Sequence, residues 1–201
     1  MSANPRQEFF DTLAAGWEDR NSTPETRDRL PAVIRAFRLQ PGIRVLDVGC
    51  GTGVLFPYLR EAVGTAGQIL ALDSSAEMLK WAAAKTAARV VTLHAPAEAI
   101  PLMDGCLDAV VCFCAFPHFR DTAQVAREFH RLLRPGGSAV VARPGTRDEI
   151  NAHHDRHTAI AGDHMACPVG MRTMFTAAGF TRAHPDGRPG RCLFRTEKGK
   201  R

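Results

Sequence analysis

The stretch that decides the fold is Ile43-Arg44-Val45-Leu46-Asp47-Val48-Gly49-Cys50-Gly51-Thr52-Gly53. Its first half is an apolar, β-branched run of strand length. Its second half is a run of alternating glycines followed by a helical pattern, so a buried strand passes directly into a tight turn and a helix. Glycines in such a turn permit positive φ and let a ligand approach the main chain closely. In an open α/β sheet the turn lies on the carboxyl edge, where ligands bind.

Further apolar runs follow on the carboxyl side: QILALD at 68–73, RVVTLHA at 89–95, LDAVVCFCAF at 107–116 and SAVVARP at 138–144. Amphipathic segments separate them, an alternation that predicts a parallel sheet covered by helices on both faces. Ser74 or Ser75 caps a helix through Met78, Leu79 and Trp81, and Asp121 caps one from Thr122 to Leu133 that stops at Arg134, before Pro135-Gly136-Gly137. A helix from about Pro168 to Ala178 leads to strand candidates at Thr181 to His184 and Cys192 to Thr196, with PDGRPG at 185–190 as the turn between them. Arg143 to Met165 is the one irregular segment.

Length and composition agree with a single domain over 1–201: 201 residues, 45% hydrophobic and 23% charged, enclose one sizeable core. The first twenty residues carry charges throughout, with no apolar run of signal-peptide or membrane-span length, and the expected compartment is the cytoplasm. Six scattered cysteines without a secretory pattern are expected as reduced thiols. The net charge of +5 resides in Arg182, Arg188, Arg191, Arg195, Lys198, Lys200 and Arg201 against Asp186 and Glu197. Such a run reads as a solvated face, which argues against a nucleic-acid partner.

Two acids frame the glycine turn. Asp47 precedes it and suits a ligand bearing an ammonium group, or else caps the following helix. Asp73 ends the next strand, where α/β nucleotide folds place an acid for ribose hydroxyls; its other reading is again a cap. The dinucleotide fingerprint GxGxxG requires glycine or alanine at position 54, but Val54 stands there and the third glycine comes early at Gly53. This spacing disfavours a nicotinamide-dependent oxidoreductase.

VLDVGCGTG at 45–53, ALDSSAEML at 71–79, HAPAEAIPL at 94–102, LDAVVCFCAFPHF at 107–119 and REFHRLLRPGG at 127–137 follow in fixed order. Together they resemble the class I S-adenosylmethionine-dependent methyltransferases, particularly the group similar to ubiquinone and menaquinone biosynthesis enzymes, over Phe9 to Val141. The resemblance implies a Rossmann-like three-layer α/β sandwich whose seven-stranded sheet is mostly parallel, with the last strand inserted antiparallel. It divides the domain into an N-terminal lid (1–30), a cofactor-binding core (40–142) and an acceptor-side segment with the last strands (143–201).

It further implies S-adenosyl-L-methionine as cofactor, S-adenosyl-L-homocysteine as product, and a small-molecule methyl acceptor. Gly49, Gly51 and Gly53 approach the amino-acid end of the cofactor, with Asp47, Cys50 and Thr52 on the same turn. Asp73 takes the ribose, Ser74 and Met78 border adenine and ribose, Ala97 and Glu98 lie beside adenine, and Phe113 completes the set. In the lid sequence FFDTLAAGW, Trp17 folds over the cofactor; the other reading is simple helix packing. One departure is Pro96, at a place where the family often has an acid for the adenine amino group.

Methyl transfer is an in-line displacement that relies on alignment. His118, at the end of the fourth strand, is the candidate base, or else packs the strand edge. His153, His154, His157 and His164 crowd one short segment, with Asp155, Asp163 and Cys167 close by. If helical, His153, His157 and His164 share a face on which a metal is conceivable, although Gly162 interrupts the helix. A binding or metal-handling protein on the same fold is therefore the alternative to a methyltransferase.

Overall fold

A computed structural model describes residues 5–21, 23–85, 90–186 and 191–200. Three helices, α1 (Pro5–Leu13), α2 (Trp17–Asn21) and α3 (Pro24–Arg35), precede β1 (Arg44–Val48). Then come α4 (Phe56–Val63), β2 (Gln68–Asp73), α5 (Ala76–Ala83), β3 (Val90–His94), β4 (Leu107–Phe113), a 3-10 turn (Phe116–His118) and α6 (Thr122–Leu132). The chain ends in β5 (Leu133–Pro144), α7 (Arg147–His154), α8 (Pro168–Ala177), β6 (Phe180–Asp186) and β7 (Arg191–Lys198).

The sheet order is β3-β2-β1-β4-β5-β7-β6. β1, β2, β3, β4 and β5 pair in parallel, while β7 is antiparallel to both β5 and β6 and lies between them. The expected seven-stranded sheet with an inserted antiparallel last strand is therefore present. Residues 187–190 of the predicted turn lie outside the described residues.

Alternation along the strands supplies two core layers. Leu46, Val48, Leu70, Leu72 and Val141 face α6 and α8, joining Phe129, Phe175 and Leu132. Val45, Ile69, Val111 and Val140 face α3 and α4, joining Val33, Phe37 and Leu59. All of these but Leu70 are at most 4% exposed or less, so both faces of the central strands are shielded from water.

Two elements differ from the sequence reading. β5 begins at Leu133 rather than Ser138, because Leu133 pairs with Leu107 before a register shift carries the ladder to Ala109 and Ser138. Arg134 to Gly137 are taken up in that irregularity, with Gly136 at φ +79°. The segment expected to be irregular contains α7, started by a capping box in which the Thr146 hydroxyl accepts from Glu149 N and the Glu149 carboxylate accepts from Thr146 N. Helix α7 stops at His154, well before Gly162.

Candidate functional site

The glycine turn sits where β1 leaves the sheet. Gly49 N and Cys50 N both donate to Leu72 O, at 2.8 and 3.0 Å, which ties the turn to the end of β2. Gly49 has φ +72°, and a Cβ there would overlap the Cβ of Ala115 beyond β4. Gly51 has φ +53° and faces a more open space, with Met78 Sδ and Trp17 Nε1 each 4.0 Å from where a Cβ would stand. A Cβ on Gly53 would meet the Phe56 ring at 2.6 Å. Thus two of these glycines are required by protein packing, whereas Gly51 keeps the main chain accessible beneath Trp17.

Asp73 organises the adjoining strand end. Its Oδ2 accepts from Gly51 N and its Oδ1 from Ser75 N, both at 2.9 Å. Burial pushes its carboxyl up, and these backbone donors only partly offset that. The helix cap is Ser75, whose hydroxyl accepts from Met78 N at 3.0 Å and also bonds Asp11 of α1. Ser74 is exposed and its carbonyl meets His94 Nε2 at 3.0 Å, while Met78 is buried.

Asp47 is buried, and neither carboxylate oxygen has a hydrogen-bond partner among the described residues. It caps no helix, since the N-cap of α4 is Leu55. Burial, reinforced by the Asp73 charge, raises its carboxyl to about 8. A buried acid held without donors suits a ligand that brings its own cation. Cys50 and Thr52 are buried beside it; burial pushes the Cys50 thiol up, and Thr52 donates to Glu18 of α2 at 2.7 Å. Glu18 also pairs with Lys85, so the short helix carrying Trp17 is fastened to the glycine turn.

Ala97 is buried in the core layer facing α6. The Glu98 carboxylate accepts from Arg120 N and Asp121 N, at 2.9 and 3.3 Å, and so serves the approach to α6. Phe113 closes β4 in the opposite core layer. The structure thus brings Gly51, Asp47, Asp73, Met78 and Trp17 around one turn, and it engages the Glu98 side chain in holding the chain before α6.

On the other side of Trp17, aromatic rings lead toward His118. Phe10 lies 5.8 Å from Trp17 and 5.1 Å from His118, centroid to centroid. His118 Nδ1 is 2.9 Å from Asp163 Oδ2. Asp163 is buried and is also held by Arg6 of α1, whose Nε donates to both oxygens at 3.0 and 3.1 Å. Burial works to raise this carboxyl, but the bonds from His118 and Arg6 outweigh it and hold Asp163 below its usual range. An ionised Asp163 can only accept, so His118 Nδ1–H donates the hydrogen bond to it and Nε2 is left as the unprotonated nitrogen of the neutral ring. Among the described residues Nε2 has no hydrogen-bond partner.

Beyond His118 the network continues through His154. The two rings lie 4.7 Å apart, His154 Nδ1 is 2.6 Å from the Asp163 carbonyl, and Arg143 Nη1 is 3.2 Å from His154 Nε2. Burial pushes His154 down to about 4.

The histidines named for a metal do not converge. His153 and His157 have rings 5.0 Å apart, but His164 turns to Asp155, with Nε2 2.7 Å from Oδ1. Because α7 ends at His154, the shared helical face does not exist. Among the described residues no group of three or more His, Cys, Asp or Glu side chains is placed to hold a metal ion. Arg6 and Arg143 carried no signal in the sequence, Asp163 stood only as a neighbour of the histidine cluster, and His154, one of its four members, was left out of the candidate metal set. A run of histidines in which one is flanked by apolar positions, as His154 is by Ile150 and Ile160, was the available signal.

Residues 46–141 match a family model described as a methyltransferase domain. The demethylmenaquinone methyltransferase of Geobacillus kaustophilus is 35% identical over 138 residues, covering 65% of this chain and 59% of that protein. The ubiquinone/menaquinone biosynthesis C-methyltransferase UbiE of Geotalea daltonii is 30% identical over 159 residues, covering 75% of this chain and 68% of that protein. Against the first of these, the chain spans about three fifths of the relative's length. A SAM-dependent methyltransferase from Aquifex aeolicus shares the fold, with a TM-score of 0.68 at 23% identity over 89% of this chain and 94% of that one.

Proposed function

The chain belongs to the class I S-adenosylmethionine-dependent methyltransferases, and from that membership we propose that it transfers a methyl group from S-adenosylmethionine to a small-molecule acceptor. The observation that carries this reading is the buried, donorless Asp47 beside the Asp73-bound glycine turn. Asp47 pairs with the amino acid ammonium, and Gly49, Gly51 and Gly53 accommodate that end of the cofactor. Asp73 receives the ribose hydroxyls, and Ser74, Met78, Ala97 and Phe113 enclose the adenosine. Trp17 covers the turn. Glu98 lies at the adenine end, where its carboxylate fixes the chain before α6.

The cofactor, when bound, supplies an electrophilic methyl on a sulfonium. The protein's contribution is alignment and, for an acceptor that must lose a proton, a base. His118 fills that role through Nε2, with Asp163 as a positioning residue that fixes its tautomer. The names of the curated relatives favour a quinone-type ring as the first acceptor to test.

Calorimetric titration with S-adenosylmethionine, S-adenosylhomocysteine and NAD, alongside Asp73→Ala, tests the reading. Saturable binding of the two adenosyl ligands, lost in the variant and absent for NAD, is expected. Absence of adenosyl binding would overturn it.

A further inference from the structure

Arg143 is the penultimate residue of β5, at the carboxyl edge of the sheet. Its Nε is buried without a hydrogen-bond partner, and no carboxylate among the described residues lies within ion-pairing distance of it. Its one described hydrogen-bond partner is His154. That imidazole donates from Nδ1 to the Asp163 carbonyl, so Nε2 is the lone pair facing the guanidinium, and burial keeps the ring neutral.

The other titratable groups that interact with Arg143 are the His153 imidazole, which burial and the neighbouring cations push down, and the Cys114 and Cys192 thiols. Burial raises Cys114 to about 11 and Cys192 above its usual value, so neither thiol supplies negative charge at neutral pH. The nearby Asp163 carboxylate is committed to Arg6 and His118. A guanidinium stays protonated, and one that is half-buried with its Nε shut off from water, as in Arg143, normally sits against a carboxylate because an unmatched charge is costly to desolvate. Here it stands unmatched on the far side of the one histidine that separates it from His118.

We propose that Arg143 is the anion receptor of the acceptor site: the methyl acceptor carries an oxyanion, a carboxylate or a phosphate, that docks on the Arg143 guanidinium while the atom to be methylated lies toward His118. This rests on the methyltransferase reading only in equating the anion with part of the acceptor. The fork of N–H donors suits a two-oxygen anion. His154 acts as a spacer that fixes the guanidinium without neutralising it.

The test measures thermal unfolding and binding of benzoate, acetate and inorganic phosphate at constant ionic strength, with benzamide as the neutral counterpart of benzoate. Wild-type protein, Arg143→Met and Arg143→Lys are compared, and S-adenosylhomocysteine is titrated into each. At least one anion is expected to raise the unfolding temperature saturably, with benzoate binding roughly tenfold or more tighter than benzamide if the group is a carboxylate. Phosphate alone responding would assign a phosphate.

R143M should lose the anion response, keep S-adenosylhomocysteine binding and unfold at a temperature close to or above that of the ligand-free wild type, since an apolar side chain removes a half-buried, unmatched charge. R143K should weaken the anion response. Equal responses in wild type and R143M, or none from any anion in wild type, would overturn the proposal. Should R143M not fold, the wild-type anion series and R143K decide alone. Anion binding without S-adenosylhomocysteine binding would sink the cofactor reading and leave Arg143 standing; the converse would sink only Arg143.

Discussion

The proposed pairing of Asp47 with the cofactor's ammonium predicts that binding releases a proton. With its carboxyl raised to about 8 by burial and by Asp73, the unliganded protein holds it protonated at pH 6.5. An ammonium partner favours the carboxylate, so binding expels that proton, about one per site at pH 6.5. At this pH the ligand's own α-amine is already charged and adds little to the balance. Between pH 6 and 7 the association constant should therefore rise nearly tenfold, about 1.4 kcal/mol per pH unit.

Linkage fixes the companion effect on stability. A folded-state value above the unfolded one means that the native state binds more protons, so ligand-free stability falls as pH rises from about 4 to 8. Asp47→Asn should flatten both trends. The assay is isothermal titration with S-adenosylhomocysteine in buffers of differing ionisation enthalpy, whose slope counts protons. A slope near zero in the wild type, or one equal to that of Asp47→Asn, refutes the pairing.

Gly49→Ala sets a Cβ into Ala115 at positive φ and should destabilise the fold by about 2–4 kcal/mol in denaturant titration; a cost below about 0.5 kcal/mol would contradict the packing described. Asp163→Asn should move the His118 proton from Nδ1 to Nε2, as seen in nitrogen–proton correlation spectra of the imidazoles, and lower turnover roughly 100-fold; an unchanged tautomer would exclude the dyad. Of the two tryptophans, Trp81 is 48% exposed, whereas Trp17 has its Nε1 4.0 Å from where a Cβ on Gly51 would stand. Titration with S-adenosylhomocysteine should therefore change intrinsic fluorescence in the wild type and not in Trp17→Phe, and a full response in that variant would remove Trp17 from the lid.

Local pattern and site visibility parted at identifiable places. Strands β1, β2, β3 and β4 were legible because each is an apolar run bounded by polar or glycine residues. The early start of β5 was not, because Pro135-Gly136-Gly137 reads locally as a stop and only the pairing of Leu133 with Leu107 extends the strand through it. Helix α7 was legible in principle through the capping pair Thr146 and Glu149, but the segment was read as irregular, with a helix through the histidines entertained only as a condition for a shared face. The glycine turn and Asp73 could be read from one continuous segment. The partnership of His118 with Asp163, 45 residues apart, and of Asp163 with Arg6, 157 apart, could not, since neither lies within one element. Arg143 escaped notice for a related reason: a strand-ending arginine is unremarkable until its surroundings are known to hold no matching charge.

The insertion of β7 between β5 and β6 has a consequence for biosynthesis. Of the seven strands it leaves the ribosome last, yet it must enter the sheet between two that are already made. Until it arrives, β5 presents an open edge and the β6 segment, whose one strand neighbour is β7, has nothing to pair with, which leaves Val141 and Phe180, buried in the finished fold, without part of their cover and invites pairing with other chains. A stall or premature stop shortly after Asp186 should therefore yield a species that demands chaperone protection, and the addition of β7 covers the edge of β5 and joins β6 to the sheet in a single step.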